Sequence, residues 1–201
     1  MRNKVGQGIL FKRIGLTGSP GTGKKTLARG FALNAGYRIL NINSLCISKG
    51  GSIGRDKYGI VVDTEKLSKI IAEEIKNDNF ILVGHLLPYV IVSKDIELAI
   101  VLRCNPYMLE KRLEKRGYPH KKVLMNIGAE TLGTCYFDAL KEFGCGKIHV
   151  IDTSSKKPEE VVRESLKILE GNARYDGSDI DWLSLVRKKG DLRRIFPDSY
   201  Y

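Results

Sequence analysis

With 201 residues, 42% hydrophobic and 28% charged, the chain is long enough to bury one sizeable α/β core. It has no apolar run long enough to cross a bilayer, and its N-terminus lacks the apolar segment of a secretory signal, so an intracellular, cytoplasmic location is expected, or a nuclear one in a eukaryote. The formal net charge of +11 excludes an acidic solvating protein and favours polyanionic partners: nucleotides, RNA or an RNA-bound protein. Only six of the 34 basic residues lie in 171–201, against five acidic ones, so the excess is not a basic tail. The four cysteines, Cys46, Cys104, Cys135 and Cys145, form no C-x-x-C pair and point to packing rather than to metal or disulfides.

Arg13–Thr17 reads as a short strand running into a glycine-rich loop, Gly18–Lys24, and residues 24–34 as a helix with Leu27, Phe31 and Ala35 on one face, stopped by Gly36. A second strand is expected over 37–42. A helix capped by Asp63 follows, with Leu67, Ile70, Ile71 and Ile75 at helical spacing through Lys76. Phe80–Val83 and Leu98–Leu102 are almost wholly apolar, the pattern of strands covered on both faces. One helix is expected over 106–116, another over 121–143, a fifth strand at Lys147–Ile151, and a last core helix from Pro158 through Leu169. Strands alternating with helices predict a doubly wound, five-stranded parallel sheet with helices on both faces, spanning 1–170. Residues 171–201 read as an extension in which Trp182, Leu183, Leu185 and Val186 form one or two amphipathic turns.

The loop Gly18-Ser19-Pro20-Gly21-Thr22-Gly23-Lys24 fits G-x-x-x-x-G-K between a strand and a helix. Glycines there let backbone N–H groups curl toward phosphate oxygens, the helix start adds its positive dipole end, and Lys24 reaches the β- and γ-phosphates. ATP is thus the expected cofactor, bound by Gly21, Thr22, Gly23, Lys24, Lys25 and Thr26. The Ser or Thr that usually follows the lysine and ligates Mg²⁺ is Lys25 here. Thr26 and water are left as the expected Mg²⁺ donors.

With Pro20 inside the loop and Thr26 two after Lys24, the pattern G-x-P-G-x-G-K-x-T resembles nucleoside monophosphate kinases. The segments Gly18–Leu27, Gly84-His85, Val101-Leu102-Arg103, Leu109, Arg112-Leu113, Arg116-Gly117-Tyr118, Lys121-Lys122, Asn126-Ile127 and Glu130 resemble the atypical, isoenzyme-6 type of adenylate kinase over about residues 12–170. The resemblance implies the nucleotide kinase fold and ATP:AMP phosphotransfer. It also implies a short lid near 115–125 carrying Arg116 over the phosphates, and a role for His85 at the end of the third strand. An acceptor segment for AMP, or another nucleoside monophosphate, is implied near 41–64. ATPase activity and a part in small ribosomal subunit maturation, with a ribosomal protein or rRNA as partner, are implied as well; no membrane is. Arg112 and Arg116, four apart, can share a helix face.

The chain departs from the family twice. Val83 stands where an Asp is expected two before His85, and no arginine follows the second strand at Cys46-Ile47, which leaves Lys49, Arg55 and Lys57 as candidate acceptor-phosphate contacts. The glycine-rich 41–64 segment suits a mobile flap and an ordinary loop equally. Two alternatives stay open: an ATP-gated assembly factor with little kinase activity, and a P-loop kinase of a small metabolite such as shikimate or a nucleoside.

Overall fold

The computed structural model describes residues 10–56, 59–76, 79–171 and 177–197. In chain order the elements are β1 (Arg13–Gly18), α1 (Lys24–Ala35), β2 (Arg38–Asn41), α2 (Ile42–Ser48), β3 (Ser52–Arg55), β4 (Ile60–Val62), α3 (Thr64–Glu74), β5 (Phe80–Val83), α4 (Leu87–Val90) and β6 (Leu98–Arg103). The chain continues through α5 (Pro106–Glu114), α6 (His120–Thr131), α7 (Thr134–Phe143), β7 (Ile148–Asp152), α8 (Pro158–Leu169), α9 (Trp182–Lys188) and α10 (Leu192–Ile195).

Five strands form a parallel sheet in the order β2-β5-β1-β6-β7, as the alternation of apolar runs and amphipathic segments predicts. Every residue of β5 and β6 is buried. Alternate strand residues point to opposite faces. Leu82, Ala99, Val101 and Val150 join Ile42, Leu67, Ile71, Leu87 and Ala139 on one side. Ile14, Leu16, Ile81 and Ile100 join Leu27, Phe31, Val161 and Ile168 on the other. Fully burying a side chain such as Phe31 contributes about 1.5–3 kcal/mol. Because β1 is flanked by β5 on one side and β6 on the other, the chain leaves it in opposite directions, and a crevice opens at its C-terminal end.

One expectation needs correction. The single helix over 121–143 is two, α6 and α7, because Gly133 takes φ 68°, a left-handed conformation that ends one helix and starts the next. Within the described part of 41–64, Asn41 caps α2 by accepting from the Ser44 amide (3.0 Å), and β3 pairs antiparallel with β4 outside the main sheet. The chain after Gly177 forms α9 and α10. Val186 and Ile195 pack there against Leu109, Leu113, Val123, Leu124 and Ile127, a third cluster at the base of the α5–α6 turn. Among the described residues no helix is long and apolar enough to cross a membrane.

Candidate active site

The crevice at the end of β1 is a cleft of about 1240 Å³. Its floor is the loop Gly18–Lys24. Gly18 adopts φ 134°, and a Cβ there would lie 2.3 Å from the Leu102 carbonyl oxygen, so only glycine lets β1 turn this tightly beside β6. Gly23 at φ 105° starts α1 with no side-chain cap, leaving the helix start to offer its N–H groups to a ligand. The Thr22 hydroxyl donates to the Ser19 carbonyl (2.9 Å) and the residue is fully buried, so Thr22 shapes the loop from behind and does not line the cleft.

Lys24 lines the cleft and donates from Nζ to the carbonyls of Gly18 (2.5 Å) and Ser19 (2.9 Å). Burial pulls its pKa from 10.5 to about 8; Arg116 and Lys25 push the same way, and Cys135 and Glu130 pull back. Lys25 and Thr26 are exposed on the first turn of α1 and also line the cleft, as do Gly21 and Gly23. His85 lies just beyond β5 and lines the same cleft. Its pKa is lowered by burial and then by the Lys24 charge, so it is neutral at pH 7.

Arg116 sits in the turn between α5 and α6, exposed, lining the cleft and close enough for its charge to act on Lys24. Arg112 does not share that face. Its guanidinium donates to the Thr153 carbonyl (2.6 Å), the Ser154 carbonyl (3.2 Å) and the Thr153 hydroxyl (3.2 Å), pinning α5 to the end of β7. Thr153 in turn lies 3.0 Å from the Thr22 carbonyl oxygen, bracing the loop from behind. The structure thus gathers Lys24, Lys25, Thr26, His85 and Arg116 around one space and turns Arg112 and the Thr22 side chain away from it.

Asn41, Asn43, Asp56 and Thr64 of the 41–64 segment, with Tyr89 and Asp138, also line the cleft. Tyr89 donates to Asp138 (2.6 Å), a bond that, with burial, raises the phenol to about 12. Of the basic residues expected here, Lys49 is engaged with Glu74 (2.5 Å), Arg55 lies on the exposed strand β3, and Lys57 lies outside the described residues.

Glu130, matched above to the family without a role, proves to be tied to the loop. Glu130, on α6, is buried and accepts from Ser19 Oγ (2.6 Å), Arg103 Nε (2.7 Å) and the Cys104 amide (3.0 Å). A signal for it existed: Glu130 falls in helical register with Val123 and Ile127, and Arg103 ends a strand with no other charge. Opposite charges at two core positions require each other, since a buried charge is tolerated only when paired.

Comparison with known proteins accords with this geometry. The sequence profile of the AAA domain family matches residues 14–133. A "Putative adenylate kinase" of Thermococcus onnurineus is 33% identical over 170 residues, 84% of this chain and 90% of its own length. A protein of the same name from Methanocaldococcus jannaschii is 36% identical over 177 residues, 85% of this chain and 92% of its own. The chain belongs to this adenylate kinase family. Among solved structures, shikimate kinase from Acinetobacter baumannii, in complex with shikimate, superposes with a TM-score of 0.60 at 14% identity, covering 82% of this chain and 96% of that one. A gluconokinase from Sinorhizobium meliloti gives 0.52 at 17% identity, covering 79% and 91%. At such identities these two show a shared fold.

For an adenylate kinase family member, the metal donors are few. Val83 is buried at the cleft wall and offers no oxygen, and among the described residues no group of three or more His, Cys, Asp or Glu could hold a metal ion. The residues present fit Mg²⁺ held chiefly by nucleotide phosphates and water, with the exposed Thr26 hydroxyl as the protein's donor, because Mg²⁺ retains several waters.

Proposed function

We propose that this chain is a nucleoside monophosphate kinase that moves the terminal phosphoryl group of ATP to AMP, with residues 1–170 as the kinase unit and 171–201 as an extension. The observation that carries the reading is the convergence of Lys24 and Arg116, from the loop and the α5–α6 turn, on one cleft that the 41–64 segment also lines. An acceptor phosphate oxygen attacks the γ-phosphorus, the bond from γ-phosphorus to the β,γ-bridging oxygen breaks, and ADP leaves with that electron pair. Little covalent chemistry falls to the protein, so its work is positioning and charge neutralisation. Lys24 must release the Gly18 and Ser19 carbonyls to follow the γ-phosphate. Arg116 covers the migrating group from the lid. His85, neutral, orients an oxygen by hydrogen bonding from the end of β5. Thr26 would supply the side-chain contact to Mg²⁺, which when bound would offset phosphate charge.

Incubating protein, ATP, AMP and Mg²⁺ should give two ADP per ATP consumed, and Lys24→Ala should abolish this with the fold intact. ATP loss at the same rate without AMP would overturn the reading. One observation favours a second: among the described residues of segment 41–64, none that lines the cleft is a lysine or arginine, which suits a hydroxyl on a small metabolite better than a phosphate. A screen of phosphate acceptors separates the two. The net charge of +11 supports contact with a small-subunit ribosomal protein or rRNA, tested by co-sedimentation with and without ATP.

A further inference from the structure

We propose that Glu130 is a positioning residue that ties the phosphate-binding loop to the lid-bearing helix through the Ser19 hydroxyl. Three partners converge on its carboxylate from separate elements: Ser19 Oγ in the loop, Arg103 Nε at the end of β6, and the Cys104 amide just beyond. The Glu130 carbonyl accepts a further bond from Arg103 (3.0 Å). Ser19, Arg103 and Glu130 are all at most 3% exposed, so no water competes for these bonds.

Both ends of the tether bear on the cleft. Ser19 holds Lys24 through its carbonyl and Glu130 through its hydroxyl, so loop conformation and the resting place of Lys24 depend on one residue. At the other end, α6 carries Lys121 and Lys122 in its first turn, both lining the cleft. Nine residues separate Lys121 from Glu130, about 14 Å along a helix. A single stiff rod thus reaches from the lid to the loop, and a shift of α6 at the lid is felt at Ser19. A purely structural role for Glu130 would need only Arg103; the bond to Ser19 is what the loop adds.

Lys24 is faced by Cys135 on α7, Glu130 on α6, Arg116 in the turn, Lys25 on α1 and His85 beyond β5. Among these Glu130 raises the Lys24 pKa. Removing its charge therefore moves the alkaline limit of ATP binding to lower pH, whereas removing only the Ser19 hydroxyl does not.

The test uses the full chain with Ser19→Ala, Glu130→Gln and the double variant, and its ATP-affinity measurement rests on the ATP-binding reading above. Ser19→Ala keeps the Arg103–Glu130 pair but leaves Glu130 Oε2 without its donor, so its melting temperature should fall less than that of Glu130→Gln. Amide hydrogen exchange over 18–24 should quicken in the unliganded protein, and ATP affinity should fall about 10-fold, the scale of a lost bond to a charged group. Glu130→Gln should melt lower, because Arg103 is left buried without its anion, and its ATP-affinity profile should shift to lower pH. In the double variant the two losses in affinity should not multiply, since both cut one contact. Wild-type exchange over 18–24 together with wild-type ATP affinity in Ser19→Ala would overturn the proposal; if Glu130→Gln does not fold, Ser19→Ala decides alone. Should the wild type bind no ATP, the function reading fails, and the exchange comparison still judges the tether.

Discussion

Tyr107 on α5 donates its hydroxyl hydrogen to Asp191, 84 residues later and 2.8 Å away. Around this bond, Lys189 lies 4.3 Å from the Tyr107 ring centroid and Arg194 pairs with Glu110 at 2.6 Å, so the chain's last helices grip the helix that leads to Arg116. Ile195, 2% exposed, is the apolar anchor of the grip. Ile195→Ala should cost about 2 kcal/mol, the low end for such truncations, because a four-residue helix near the chain end relaxes into the space. A lower urea midpoint at unchanged slope will show it. Tyr107→Phe should move the midpoint the same way by less.

Arg112 and Arg116 should fail differently. Arg112→Ala leaves the Thr153 and Ser154 carbonyls without their donor and frees α5 from β7, so thermal stability should drop while catalysis at low temperature largely persists. Arg116→Ala removes an exposed charge that nothing in the fold requires. Its stability should be unchanged and its kcat lower by at least about 100-fold, as for loss of one donor to developing charge. Melting curves and steady-state kinetics on both variants distinguish the two roles.

The sheet was legible because its signals are local. Phe80–Val83 and Leu98–Leu102 cannot be solvated on either face, and the G-x-x-x-x-G-K run names its own flanking strand and helix. The break at Gly133 was not, because glycine within a helical pattern is tolerated as often as it terminates one, and only its close fit beside Arg103 shows which occurs. Lys24 and Arg116 came from a motif and a resemblance. Glu130 needed contacts between residues 111 positions apart, which spacing along α6 hints at but does not supply. Arg112 was misplaced for the same reason: i, i+4 spacing sets a shared face only while the helix continues, and α5 ends at Glu114.

His85 should titrate below 6.5. Burial disfavours its charged form first, and the ammonium of Lys24 adds to this. The imidazole resonances of the unliganded protein should therefore show a lowered midpoint that rises in Lys24→Met, once the neighbouring charge is gone. A residue whose neutral form is favoured contributes a hydrogen bond rather than a proton, so His85→Gln should retain activity within about tenfold of wild type. A loss of 10²–10⁴-fold would instead be the scale of general acid–base catalysis and would assign His85 a proton in transit.

Lys24 sets the alkaline side. Its pKa of about 8 in the free protein means that at pH 7 the ammonium is mostly formed, and by pH 9 mostly lost. Only the ammonium attracts phosphate, so ATP affinity should be flat below pH 7 and fall by up to tenfold per pH unit above about 8. The sign follows from linkage: bound phosphates favour the charged form and raise the pKa, so binding at pH 8–9 must take up a proton. Calorimetric titration of ATP into the protein in two buffers of different ionisation enthalpy measures that uptake directly. Expected is close to zero protons at pH 6.5 and a substantial fraction of one at pH 8.5, with the difference abolished in Lys24→Met. Equal uptake at both pH values would mean that Lys24 enters the complex already charged, and that the carbonyls of Gly18 and Ser19, rather than its solvation, govern its state.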